Sequence, residues 1–187
     1  MDEIELIDRC KKQDSSAQKF LYNKYSGLLL GICSRYSKSL SDAEDILQEG
    51  FLKIFLNIKY FAAIGSFEGW LKKIMVNTAI THYHKNLKHQ YHYDIEDIKE
   101  ISIETNEFEE IEFSKEELFE TIQSLPDGYK MVFNLYAVEG YKHKEIAEMM
   151  SIDINTSKSQ YSRAKKIIQT KLLELKQKKY VKLQKRY

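Results

Sequence analysis

The sequence predicts an all-α protein made of two small helical domains joined by an acidic flexible linker. Apolar residues recur at helical spacing over most of the chain, whereas the alternating pattern of strands is weak. The 187 residues include one proline and seven glycines, so few positions would break a helix. The formal net charge is only +1, but charge changes sign along the chain and separates an acidic middle from a basic end.

These patterns divide the chain into four segments. The first domain is expected over residues 1–90. The linker is expected over 91–113, where acidic residues dominate and bulky apolar clusters are few. The second domain is expected over 114–176, with Pro126 in the first turn of a helix, where its missing N–H costs nothing. A basic tail follows over 177–187, and we expect it to be a disordered arm.

Composition argues against several classes of protein. Cys10 and Cys33 have no metal-binding spacing and form no disulfide framework, which is typical of free thiols in a reducing cytosol. Asp2, Glu3 and Glu5 are acidic where a signal peptide would be basic. No apolar run approaches the roughly 20 residues that span a bilayer. We therefore expect a cytoplasmic protein without membrane insertion.

The residues that usually carry catalysis or bind metals form no recognisable set. Four histidines, His82, His84, His89 and His92, are irregularly spaced, and no acid or cysteine completes a ligand set. There is no P-loop, no GxGxxG and no serine–histidine–aspartate arrangement. We expect no metal, no cofactor and no catalytic residue, and therefore a protein that is not an enzyme.

The segment SLSDAEDILQEGFLKIF, residues 39–55, predicts the first informative helix. Ser41 and Glu44 have the spacing of a capping box. One side of the helix should be core and carries Ala43, Ile46, Leu47, Gly50, Phe51 and Ile54.

The other side of the same helix combines acidic and apolar residues, namely Asp45, Gln48, Glu49, Leu52 and Leu56. Isolated exposed leucines are ordinary on a protein surface. Two leucines one turn apart beside acids would also suit a docking surface for a basic partner helix. The spacing alone leaves both interpretations open.

A second helix is expected from an N-cap at Ser66 to about His84. Its buried stripe should be Leu71, Met75 and Thr78. A different stripe carries Trp70, Lys73, Asn77, Thr81 and His84. Aromatic, amide and cationic groups in a line suit single-stranded nucleic acid, and the glycine-containing loop before them could admit a flipped base. For Trp70, burial in the core is an equally good interpretation.

Near the C-terminus the pattern predicts two helices joined by a tight turn at residues 151–155. Ile146 and Met150 should face inward on the first helix, and Ala147 would permit a close crossing. The second helix, capped by Asn155 or Thr156, should bury Tyr161, Ala164, Ile168 and Leu172. Its other face carries Lys158, Ser159, Ser162, Arg163, Lys165 and Lys166.

Such a pair is typical of a helix-turn-helix that reads DNA. Short hydroxyl side chains let a helix approach the major groove, and cationic side chains bond phosphates or guanine edges. The alternative is an ordinary helical hairpin with a solvated polar face.

Three segments in order carry a resemblance to a known family. They are DAEDILQEGFLKIF, SFEGWLKKIMVNTAITHYHK and LPDGYKMVFNLYAVEGYKHKEIAEMMSIDINTSKSQYSRAKKII. Together they resemble an extracytoplasmic-function (ECF) sigma factor of the bacterial sigma-70 family, over about residues 4–175. The resemblance implies a sigma factor that binds core RNA polymerase and directs it to promoters.

The resemblance also implies roles for particular residues and partners. Docking on the clamp helices of the polymerase largest subunit would fall to Asp45, Gln48, Glu49, Leu52 and Leu56. Capture of unpaired −10 bases would fall to Phe61, Ile64, Gly65, Ser66, Trp70, Lys73 and Asn77. Reading of the −35 duplex would fall to Thr156, Lys158, Ser159, Ser162, Arg163 and Lys166. The β flap of the polymerase, promoter DNA, and an anti-sigma factor or another dedicated regulator are the other implied partners.

The chain departs from the family pattern at three other positions. Asn155 stands where the family often has glycine, and asparagine tolerates left-handed backbone angles, so the turn should be retained. Thr81 and His84 stand where the family commonly has aspartate and arginine. Two rival interpretations stay open: a stand-alone helix-turn-helix regulator, usually a symmetric dimer, and an interaction module with solvated basic faces.

Overall fold

The structure, a computed structural model, describes residues 1–87 and 112–184. The described residues form helices and connecting turns and divide into two compact units, Met1–Asn86 and Leu87–Tyr187. Most of the linker predicted over 91–113 lies outside the described residues. Within the described ranges the all-α prediction is confirmed.

The first unit consists of four α-helices. They are α1 Glu3–Lys11, α2 Ser15–Tyr36, α3 Leu40–Asn57 and α4 Phe67–Leu87, with a 3₁₀ turn at Ile58–Tyr60 after α3. Asp2 and Asp14 accept hydrogen bonds from the first turns of α1 and α2. The cap predicted at Ser41 is wrong: the N-cap of α3 is Ser39, two residues earlier, and its Oγ accepts from the Asp42 N–H at 3.1 Å. Ser39 takes this role because its backbone is extended just before the helix.

The core of the first unit follows the predicted stripes. The six residues assigned to the buried side of α3 are all buried, and so are Leu71, Met75 and Thr78 on α4. At Gly50 a Cβ atom would overlap the end of the Met75 side chain, so glycine leaves room on α3 for this buried residue of α4. Cys10 and Cys33 are buried free thiols, and burial raises the pKa of Cys33 to about 12.

In the second unit, residues 112–184 form four α-helices. They are α5 Lys115–Gln123, α6 Asp127–Phe133, α7 His143–Met150 and α8 Ile154–Gln184, with a π-helical turn at Asn134–Val138 after α6. Ser114 and Glu117 form a capping box on α5. The core contains Leu125, Tyr129 and Ala164, against which Ile167 and Ile168 pack. Helices α6 and α7 both pack on α8.

The turn between α7 and α8 differs from its predicted geometry. Ser151, with φ 54°, is the left-handed residue, whereas Asn155 lies inside α8. The α8 cap is Asp153, whose carboxylate accepts from the Asn155 N–H at 2.7 Å, so the predicted cap at Asn155 or Thr156 is wrong. An aspartate two residues before the bonded N–H forms a local Asx turn that the hydroxyl pattern did not indicate.

The C-terminal segment is helical where disorder was predicted. Helix α8 continues through the first part of the basic tail to Gln184. Lys179 anchors this extension, because its Nζ atom donates to the Glu117 Oε2 at 2.7 Å and to the Glu112 carbonyl at 3.2 Å. Strong helix formers without proline or glycine favour the extension as well.

Candidate nucleic-acid and docking interfaces

Helix α3 presents the predicted docking residues as one surface stripe. Asp45, Gln48, Leu52 and Leu56 are exposed, the two leucines by 64% and 69%. At about 100° per residue these positions and Glu49 fall within one 100° sector of the helix. An apolar ridge beside carboxylates is a suitable surface for a helix with basic flanks.

Glu49 differs from its neighbours in this stripe because it is bound by its own chain. Its carboxylate lies 2.8 Å from Lys53 Nζ and 3.5 Å from Lys85 Nζ. The hydrogen bond from Lys53 lowers the pKa of Glu49, and the charges of Lys53 and Lys85 lower it further. Glu49 therefore already has intramolecular partners that any docking contact would have to share.

The loop between α3 and α4 places one apolar side chain fully in solvent. Ile64 is 90% exposed, and it lies between Ala63 with φ 56° and Gly65 with φ 84°. Left-handed positions immediately before and after Ile64 turn the backbone sharply, and the Ile64 side chain lies outward. Ser66 caps α4 as predicted, because its Oγ accepts from the Gly69 N–H at 3.0 Å.

Phe61 and Trp70 belong to an aromatic cluster at the base of this loop. Phe61 is buried, and its ring centroid lies 5.2 Å from that of Phe67 and 5.3 Å from that of Trp70. Phe67 and Trp70 stack at 5.8 Å. Trp70 is half-buried, so it has one face on the cluster and part of its ring toward solvent. Phe61, in contrast, is a supporting residue that has no free face for a base.

The remaining residues of the predicted α4 stripe lie at the surface. Lys73, Asn77 and Thr81 are exposed, and His84 is half-buried. The Thr81 hydroxyl donates to the Asn77 carbonyl at 2.9 Å, so it points along the helix. The stripe predicted from spacing is thus an accessible strip of cationic and amide groups that begins at Trp70.

Helix α8 presents most of the predicted −35 residues on one face. Lys158, Ser159, Ser162 and Arg163 are exposed, whereas Thr156 and Lys166 are half-buried. The buried side of the helix contains Ala164, as predicted, and Ser157, which the sequence analysis did not single out. Tyr161, Ile168 and Leu172 are only half-buried.

Arg163 is oriented by the core of its own unit. Its Nη1 atom donates a hydrogen bond to the Tyr129 hydroxyl at 3.2 Å. Tyr129 is buried on α6, and α6 packs on α8. Arg163 as a whole remains exposed on α8, so a side chain at the surface is joined to the interior of its unit.

A polar contact inside the helix-turn-helix joins its two helices and was missed by the sequence analysis. His143, the first residue of α7, has its Nδ1 atom 3.0 Å from the Oγ of the fully buried Ser157 on α8. Burial lowers the pKa of His143, and the nearby Lys158 charge lowers it further. The two residues are 14 positions apart, and no periodic pattern connects them.

The part of the chain that the structure describes contains neither a metal-binding cluster nor a membrane-spanning helix. Within residues 1–87 and 112–184 no three histidine, cysteine or acidic side chains are placed to hold a metal ion, and His89 and His92 lie outside those ranges. Over the same part of the chain, no helix has the length and apolar character needed to cross a bilayer.

Each of the two units matches a known family model. Residues 21–88 match the family model Sigma-70 region 2, and residues 115–168 match Sigma-70, region 4. A helical unit of each kind, the second with a helix-turn-helix, defines a sigma factor, the class of transcription initiation factor that directs RNA polymerase.

Relatives extend this similarity over the chain. It is 31% identical over 180 residues to the ECF RNA polymerase sigma-E factor of Haemophilus influenzae, covering 91% of this chain and 95% of the relative. It is 30% identical over 181 residues to the sigma-E factor of Escherichia coli K12, covering 91% and 94%. The chain therefore belongs to the ECF group of the sigma-70 family.

A solved structure shares the fold. The sigma factor RpoE of Bartonella quintana, solved in complex with the anti-sigma factor NepR, matches with a TM-score of 0.50 at 18% identity. The match covers 82% of this chain and 95% of that one. At this identity the likeness concerns the fold alone.

Proposed function

We propose that α8 reads the −35 element as duplex DNA while the loop before α4 captures unpaired −10 bases of the non-template strand. The observation that carries the first part is the division of α8 into two faces. Ser157 and Ala164 are fully buried, whereas Lys158, Ser162 and Arg163 are exposed. A second helix of a helix-turn-helix with this division can enter a major groove, with hydroxyls near the bases and cations near phosphates.

The proposal for the −10 element rests on the loop and the first turns of α4. Ile64 is held outward, and Trp70 is supported from behind by Phe61 and Phe67. A base turned out of the stack could lie against these apolar groups, while Lys73 and Asn77 contact the backbone and base edges. Trapping that base would offset an unstacking cost of a few kcal/mol.

The α3 stripe is the proposed docking site for the clamp helices of core polymerase. Leu52 and Leu56 supply the apolar contact, and Asp45 attracts basic residues on the partner. The β flap is proposed as the partner of the second unit, where Leu118 and Phe119 on α5 are exposed. Polymerase would then hold both DNA-binding units at a set separation, and two weak contacts would combine through effective concentration.

This mechanism uses binding energy alone, and we propose that the chain itself catalyses no covalent step. We also propose that a dedicated regulator covers these surfaces when the factor is inactive. The structural neighbour RpoE is bound by an anti-sigma factor, which makes such a partner the first to seek for this chain.

The test is reconstituted transcription. Purified core polymerase is given a supercoiled promoter library with and without this protein, and the start sites are sequenced. Initiation at specific sites only in its presence supports the proposal. Specific operator binding by the chain without polymerase, together with no effect on initiation, would favour a stand-alone regulator instead.

A further inference from the structure

We infer that His143 is a positioning residue for DNA reading, which acts by hydrogen bonding to Ser157 and fixing the first turn of α8. This inference rests on the proposed reading of the −35 element by α8. His143 begins α7, and Ser157 lies in the first turn of α8, so their 3.0 Å contact ties the two helices of the helix-turn-helix at one point.

Ser157 lies directly between two residues of the proposed DNA-reading face. Its chain neighbours are Thr156 and Lys158, and the Ser159 hydroxyl donates to the Thr156 carbonyl at 3.0 Å. A small rotation of α8 about its axis would move all of these side chains relative to a groove. The orientation of this turn therefore decides which groups can reach base edges.

The fully buried side chains on the inner side of α8 give little directional control. The fully buried residues on the inner side of α8 both have small side chains; they are Ser157 and Ala164. Small side chains allow close approach but provide few interlocking contacts, and apolar burial is non-directional. A hydrogen bond needs a particular distance and angle, so the His143–Ser157 bond can select one rotation of the helix.

The imidazole that makes this bond is itself held in place. It stacks on Tyr136 with ring centroids 4.4 Å apart and an interplanar angle of 15°. The Tyr161 ring lies edge-on to it at 5.9 Å, and Tyr136 and Tyr161 are 4.5 Å apart. Tyr136 comes from the π-helical turn and Tyr161 from α8, so the cluster links three elements of the unit.

The inference is tested with holoenzyme made from the full chain and core polymerase. The measured quantity is the ratio of affinities for two promoter DNAs. One carries a −35 element selected by the wild-type holoenzyme from a randomised library, and the other has that element scrambled. All measurements are made well below the thermal transition of each variant.

Four variants separate the hydrogen bond from the ring. His143→Phe keeps a ring that can stack but has no Nδ1 atom. His143→Asn loses the ring but places an amide atom where Nδ1 was. Ser157→Ala removes the hydroxyl, and the fourth variant combines His143→Phe with Ser157→Ala.

His143→Phe and Ser157→Ala should each lower the discrimination ratio by about tenfold, while His143→Asn retains most of it. The double variant should be no worse than either single variant, because both remove the same bond. A ratio within about twofold of wild type for His143→Phe overturns the inference. Equal weakening on both DNAs overturns it as well, since His143 would then be a phosphate contact.

A variant with both Ser159→Ala and Ser162→Ala, which removes two exposed hydroxyls proposed to lie near the bases, distinguishes this inference from the function on which it rests. If that variant loses discrimination and His143→Phe does not, α8 reads the element and the positioning role is wrong. If neither variant loses discrimination, the assignment of −35 reading to α8 is wrong, and the inference fails with it.

Discussion

The guanidinium of Arg163 and the hydroxyl of Tyr129 are joined by a 3.2 Å hydrogen bond between α8 and α6. Tyr129 is a buried member of the core that also contains Leu125 and Ala164. A side chain proposed to contact DNA is thus oriented from the interior of its own unit. This arrangement reduces the side-chain freedom that binding would otherwise remove.

The first prediction concerns the charges of α8. Replacing both Lys158 and Arg163 by alanine should weaken promoter binding by the holoenzyme and reduce the slope of log affinity against log salt by up to about two, if each contacts one phosphate. Titrations at several salt concentrations measure this slope. Lys144→Ala/Lys178→Ala, which removes two other exposed cations of the same unit, is the charge-matched control. An equal change in slope for the control would show that only net charge matters.

The second prediction concerns docking on polymerase. Leu52→Asp should reduce binding to core polymerase by at least about 100-fold, because a charge would replace the centre of an apolar contact. Leu40→Asp is the matched control: Leu40 is 63% exposed on the same helix, but it lies on a different side from Leu52. Binding is measured with labelled protein, and circular dichroism checks the fold. Loss of helical signal for Leu52→Asp would make Leu52 a structural residue instead.

The third prediction concerns promoter opening. Ile64→Asp should reduce the unpairing of −10 bases while leaving polymerase binding unchanged, because an acid would replace the most exposed apolar group of the loop. Permanganate reactivity of unpaired thymines measures opening. Ile4→Asp, at another exposed isoleucine, is the control. Normal promoter opening with Ile64→Asp would show that Ile64 is not part of the −10 site.

The fourth prediction concerns pH. The pKa of His143 is lowered in the folded chain, first by burial and then by Lys158. The unfolded chain therefore binds this proton more readily, and stability should fall as the pH falls below about 6.5. Urea unfolding between pH 5 and 8 measures the effect. In the His143→Asn variant, this part of the pH dependence of stability should be lost. An unchanged pH profile in that variant would show that other groups cause the dependence.

The fifth prediction concerns the start of α3. Ser39→Ala should destabilise the first unit by about 1 kcal/mol, because it removes the side chain that accepts the Asp42 N–H. Ser41→Ala should change stability by a few tenths of a kcal/mol at most, since Ser41 is an exposed residue inside the helix. Thermal unfolding compares the two. A larger effect at Ser41 would show that Ser41 is the cap, as the serine and glutamate spacing predicted.

Local regularities made much of the fold and of the candidate surfaces predictable. The buried stripe of α3 and the exposed α4 stripe follow from helical periodicity, which residues a few positions apart define. Ser39 and Ser41 show where such reasoning stops. Both are serines near the same helix start, and only the backbone conformation decides which of them is the cap.

The sequence by itself determined that this chain is helical, where its apolar stripes lie, and that its motifs occur in the order of the sigma-70 family. Tertiary structure alone decided that Phe61 supports Trp70 from the core, that Tyr129 orients Arg163 and that His143 bonds to Ser157. Each of these pairs joins different elements, and Tyr129 and Arg163 are 34 positions apart. Periodicity describes one helix at a time, whereas the distance between two helices depends on how all their side chains pack together.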